Sequence, residues 1–105
     1  QSGFGDISGQ HWFSIRSSAI KRNIKFDINI RYVWNIFLKQ KGKCALSGID
    51  IYLGDKRTAS LDRIDSNKGY VRGNVQWVHK NINLMKSTLG EEEFIKLCKG
   101  VANSN

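Results

Sequence analysis

Residues 59–86, ASLDRIDSNKGYVRGNVQWVHKNINLMK, decide how this chain folds. Ala59 to Asp65 reads as a short strand, and Ser66-Asn-Lys-Gly69 is a cluster of turn-forming residues. Gly73-Asn74 is a second turn signal, Val75 to Val78 a second short strand, and His79 to about Ser87 a helix. The order is strand, polar loop, strand, helix, with polar residues at the junctions.

Upstream, Cys44-Ala-Leu-Ser-Gly-Ile-Asp-Ile51 carries a turn at Ser47-Gly48 and then a short strand, with a polar loop from Gly54 to Thr58. Ile30, Val33, Trp34, Phe37 and Leu38 fall at i, i+3, i+4, i+7 and i+8, the spacing of a helix that Asn29 can cap and Gly42 ends. Trp12, Ile15 and Ala19 give a second amphipathic helix over 10–22, and Lys25 to Ile28 an extended link. The Gly- and Ser-rich residues 1–9 read as a loosely ordered lead-in. Downstream, Thr88-Leu-Gly-Glu91 matches a capping box for a last helix with Phe94, Leu97, Cys98 and Val101 on one face. Glu91, Glu92 and Glu93 then fall in its first turn, where the helix dipole favours them.

At 105 residues the chain is long enough for one small core and not for two. No apolar run approaches the roughly 18–20 residues of a membrane span, the N-terminus lacks a signal-peptide core, and no membrane partner is expected. Two cysteines, Cys44 and Cys98, are too few for a disulfide scaffold and fit a reducing compartment. A formal charge of +8 suggests a polyanionic partner, most commonly nucleic acid. The basic excess lies in residues 16–43, against Asp27, and in residues 56–86, against Asp62 and Asp65.

Ser60-Leu-Asp-Arg-Ile-Asp65, Lys68-Gly-Tyr70, Gly73-Asn-Val-Gln-Trp-Val78 and Asn83-Leu-Met-Lys86 together resemble the HNH nucleases, the ββα-metal fold. The likeness is greatest to the small phage HNH-type proteins with an LDRID…GY…GN…NxMK pattern, and it covers roughly residues 44–95. It implies an α+β protein, one compact domain. A ββα-metal core with a C-terminal helix would span 44–105, behind an N-terminal helical arm over 10–43.

The function implied is metal-dependent DNA endonuclease activity: hydrolysis of phosphodiester bonds, by nicking or double-strand cleavage. Asp62 falls where the family places its first metal ligand, and Asn83 where its last His or Asn ligand lies. A carboxylate and an amide oxygen suit Mg²⁺ or Mn²⁺ better than Zn²⁺. Asn74 matches the middle Asn, which in the family ties the loop between the strands. The family's structural zinc knuckle has two CxxC pairs, and the corresponding positions here are Cys44, Ser47, His79 and Ile82. Two ligands do not make a four-coordinate site, so structural Zn²⁺ is not expected.

One position departs from the pattern. The family's general-base His follows the metal-binding Asp, and here that residue is Arg63, which cannot accept a proton at ordinary pH. Three explanations stand open. Arg63 orients the phosphate while metal-bound water, Asp65 or His79, the last at i−4 from Asn83, handles the proton; or cleavage has been lost and a DNA-binding module kept; or a base comes from elsewhere. Double-stranded DNA is the expected partner, contacted at its phosphates by Arg63, Lys68, Arg72, Lys80 and Lys86. Weak sequence specificity follows, with a targeting partner or larger assembly to supply the rest, in the cytoplasm of a bacterial or phage-infected host cell. His11 reads as a surface or packing residue.

Overall fold

The computed structural model describes residues 2–105. In chain order the elements are α1 (Gly9–Lys21), β1 (Phe26–Asp27), α2 (Ile30–Lys39), β2 (Ala59–Arg63), β3 (Tyr70–Val71), β4 (Val75–His79), α3 (Lys80–Lys86) and α4 (Glu91–Asn103). β2 and β4 pair antiparallel, with Leu61 opposite Trp77 and Asp62 opposite Gln76. Directly opposed residues point to the same side, so Leu61 and Trp77 face one layer while Asp62 and Gln76 face the other. That alternation separates the core from the site.

On the core side, Trp77 is fully buried and its indole N–H donates to the Val33 carbonyl of α2 at 2.8 Å. Phe37 meets the same indole edge-on, with ring centroids 6.0 Å apart. The Gln40 side chain pairs with β4 much as a neighbouring strand would. Its Oε1 accepts the Trp77 N–H at 3.0 Å and its Nε2 donates to the Trp77 carbonyl at 2.9 Å. The buried core draws on residues from Ile7 to Val78, among them Trp12, Ala19, Val33, Ile51, Leu61 and Tyr70.

The helices begin where a cap is present. Ser8 Oγ accepts the His11 N–H at 3.0 Å to open α1, and Asn29 Oδ1 accepts the Tyr32 N–H at 2.8 Å to open α2. After α1, Asn23 turns the chain with a positive φ of 57°, and β1 then pairs in parallel with β3. Gly69 permits that pairing, because a Cβ there would stand 2.5 Å from the Lys25 carbonyl oxygen.

Three expectations are corrected. Residues 2–8 are not loose: Phe4 and Ile7 form a β-bridge, Ile7 is 1% exposed, and a side chain at Gly5 would collide with the Trp34 ring. Gln1 lies outside the described residues. The helical arm, residues 10–43, is built into the core: α2 supplies the floor under Trp77 and β1 pairs with β3. After Ser47-Gly48 the chain forms a single bridge, Lys43 with Asp50, and no longer strand. Thr88 does not cap α4; Gly90 occupies that position without a side-chain bond, and Phe94 is buried while Leu97 and Val101 are exposed. Lacking a partner layer over its outer turns, α4 buries only its first turns.

Candidate active site

β2 carries Asp62 into a buried position beneath α3. An isolated carboxylate there would cost several kcal/mol, and the surrounding side chains offset it. Lys86 Nζ reaches Asp62 Oδ2 at 2.7 Å, and Gln76 Nε2 donates to the same oxygen at 3.0 Å. The ammonium also donates to the Arg63 carbonyl at 2.8 Å and lies 3.4 Å from the Ile64 carbonyl. Lys86 is 1% exposed, so it is not the DNA-facing lysine that its sequence position implied. It stands one turn after Asn83 on a helix face that packs against the hairpin, and the side chain therefore points inward. Gln76 continues the network by donating to Glu91 Oε1 at 2.9 Å, which ties α4 to β4.

Asn83 sits on α3 with its Nδ2 donating to Ser60 Oγ at 2.7 Å. Asp62 and Asn83 line one cleft of about 250 Å³ with Arg22, Arg63, Ser66 and Tyr70. Past Arg22, Leu61, Tyr70 and Asn83, which belong to both, it opens into a chamber of about 520 Å³ between α1 and β2. That chamber is walled by His11, Ser14, Arg57, Ser60 and Lys80. The structure thus brings Asp62, Asn83, Arg63 and Lys80 to one continuous cleft.

Of the remaining candidates, Asn74, Asp65, His79, Arg72 and Lys68 lie outside the cleft. Asn74 is buried and fastens the loop between β2 and β4: its Oδ1 accepts the Asp65 N–H at 2.9 Å, and its Nδ2 donates to the Asp65 and Gly69 carbonyls at 3.1 and 2.9 Å. Arg63 lines the cleft, yet its Nη1 donates to the Ser66 and Lys68 carbonyls at 2.8 and 3.1 Å. Its guanidinium also lies over the Tyr70 ring, 5.5 Å from the centroid. Asp65 is held in the turn, where its Oδ1 accepts the Asn67 N–H at 2.9 Å.

His79 does not reach the cleft. It is the last residue of β4 and the N-cap of α3, and its Nδ1 accepts the Asn81 N–H at 3.1 Å. Its side chain therefore follows the strand and not the helix row of Asn83. Arg72 lies over the Tyr32 ring at 4.5 Å and lines a different groove with Trp12 and Arg16. Lys68 is exposed on the loop that Arg63 grips.

Three cleft residues escaped the motif reading. Arg22 follows α1 and borders both parts of the cleft, and Arg57 comes from the loop before β2. His11, on the first turn of α1, is buried against Trp77 with centroids 5.9 Å apart. Burial, with the Arg57 charge adding to it, lowers its pKa to about 4, so the imidazole is neutral at pH 7. Arg22 was visible only as part of a basic run, and nothing in the local sequence marks His11 or Arg57 as a cleft residue.

Among the described residues no group of three or more His, Cys, Asp and Glu side chains converges. A metal would therefore rest on few protein oxygens. The bonds to Asp62 fall on Oδ2 and the Asn83 bond uses Nδ2, which leaves Oδ1 of each without a protein donor on the cleft they share. One carboxylate and one amide oxygen fit a hard divalent cation that keeps most of its waters. At the knuckle positions, Cys44 Sγ is buried and accepts the Ser47 N–H at 3.4 Å.

No protein-family model matches the chain. Its architecture is the α+β fold of the HNH endonucleases. The solved structure of PacI, described as a rare-cutting HNH restriction endonuclease with an extraordinary mechanism of DNA perturbation, superposes with a TM-score of 0.70. The match covers 99% of this chain and 84% of that one, at 17% identity. In sequence the chain is 39% identical over 83 residues, 77% of its length, to an uncharacterized 29.0 kDa protein from the dda-modA intergenic region of Enterobacteria phage T4. It spans 32% of that relative's length. No helix is long and apolar enough to cross a membrane among the described residues.

Proposed function

We propose that the domain is a metal-dependent DNA endonuclease of the HNH type. One observation carries the reading: Asp62 and Asn83 present free oxygens to a single cleft bordered by Arg22, Arg57, Arg63 and Lys80, on a fold shared with an HNH endonuclease. Asp62 and Asn83 would hold Mg²⁺ or Mn²⁺, which when bound supplies charge neutralisation at the phosphate and a more acidic water. Arg22, Arg57 and Lys80 bind the backbone phosphates and set the strand along the cleft. Arg63 and Asn74 hold the 65–69 loop. Lys86 and Gln76 fix the Asp62 carboxylate so that Oδ1 is the oxygen turned to the cleft.

The test is nicking of supercoiled plasmid with Mg²⁺, Mn²⁺, Zn²⁺ or EDTA, beside Asp62→Asn and Asn83→Ala. Cleavage that requires the cation and falls at least about 100-fold in both variants supports the assignment. A second reading, a DNA-binding module without cleavage, draws support from the Lys86–Asp62 ion pair and from Arg63 in place of a base. It predicts intact gel shifts with no nicking under any cation.

A further inference from the structure

The endonuclease reading leaves the proton of the attacking water without an acceptor. Arg63 cannot take it, Asp65 is committed to its turn, and His79 caps α3 away from the cleft. We propose that His11 is the proton acceptor, reaching the reacting phosphate from α1 across the chamber that Asn83 and Ser60 line on the other side. The assignment rests on the endonuclease reading.

The placement of His11 is what sets it apart. Its ring is held against Trp77 and makes no hydrogen bond among the described residues, while its backbone N–H donates to Ser8 Oγ. No buried side-chain nitrogen or oxygen lacks a partner among the described residues, so the unbonded ring nitrogens are not sealed, and His11 is one of the residues that line the chamber. A ring packed at a tilt against Trp77, with no hydrogen bond to its nitrogens, has a restricted direction and a free lone pair. The titratable and charged groups around the same chamber are Arg22 just after α1, Asp55 and Arg57 from the loop before β2, Tyr70 from β3 and Lys80 from α3. Arg57 opposes protonation of His11 in the free protein. A phosphate seated on Arg57 would cancel that charge and raise the basicity of His11 when the substrate is in place.

The step balances with water alone. A water oxygen forms the new bond to phosphorus while its proton passes to the His11 ring nitrogen. The bond from phosphorus to the 3′-oxygen breaks, and that oxygen takes its electron pair and a proton from solvent. The ends are a 5′-phosphate and a 3′-hydroxyl, and His11 returns its proton to bulk water.

The test compares wild type with His11→Gln and, as a control outside the cleft, Glu92→Gln in plasmid nicking, with duplex affinity measured by fluorescence anisotropy. His11→Gln is expected to lose at least about 100-fold in rate with affinity within about twofold, while Glu92→Gln nicks normally. A second measurement keeps His11 intact: in Asp62→Asn protein, its imidazole resonances should move on addition of a short duplex oligonucleotide. Wild-type rates in His11→Gln or unmoved resonances would overturn the assignment alone. A wild type that never nicks under any cation would overturn the endonuclease reading and this assignment with it.

Discussion

At the scale of the residue, the Lys86–Asp62 pair carries the most weight. Removing one member leaves the other charge buried, so Lys86→Met should lower stability by about 3–5 kcal/mol in urea unfolding. Lys86→Met with Asp62→Leu should recover most of that loss, because two apolar groups leave no orphaned charge. His11 gives a second expectation. Its folded pKa of about 4 lies below the ordinary 6.5, so the unfolded chain binds the extra proton between those values. Stability therefore rises with pH across that window and is lost on acidification, by about 3 kcal/mol for the full shift. His11→Gln should flatten the pH 4–6.5 slope of the unfolding free energy and leave it unchanged above pH 7. Asp62 and Asn83 were marked in the sequence by the resemblance to the family, and both line one cleft. The partner of Asp62 was not legible, since an inward and an outward lysine look alike until the helix face is known.

At the scale of the element, local signals located the pieces and missed their connections. α1 and α2 could be read from periodicity and from Asn29, and β2 and β4 from short runs between turns. The two-residue pairing of β1 with β3 could not, because parallel pairing of residues far apart in sequence leaves no local trace. The α4 start was displaced to Gly90 because a capping-box match says nothing about whether the chain has already turned into the helix. The β1–β3 contact also bears on the cleft, since Tyr70 of β3 lines it and supports Arg63. Gly69→Ala should push its Cβ against the Lys25 carbonyl and weaken the Tyr70 N–H bond to that oxygen, now 2.8 Å. The expected loss is about 1–3 kcal/mol, with faster amide exchange at Tyr70. Protection equal to wild type would show that the two strands can separate without cost.

At the scale of the whole molecule, the charge of +8 announced a polyanion, but only the fold divides the basic residues into those that can touch it and those that cannot. Arg22, Arg57 and Lys80 border the cleft, Arg72 rests on Tyr32 over another groove, and Lys86 is sealed inside. The long dimension of 47 Å matches roughly 14 base pairs of duplex, so a 20-base-pair oligonucleotide exceeds one molecule's reach. Each phosphate neutralised adds about 0.9 to the steepness of log K against log salt. Lys80→Ala should therefore weaken binding and reduce that slope by about 1. Lys86→Met should leave the slope unchanged in the fraction that stays folded, because its charge never meets the DNA. Anisotropy titrations from about 50 to 200 mM salt separate the two. If Arg72→Ala lowered the slope and Lys80→Ala did not, the DNA would lie over the Tyr32 face, and the cleft would lose its claim to the substrate.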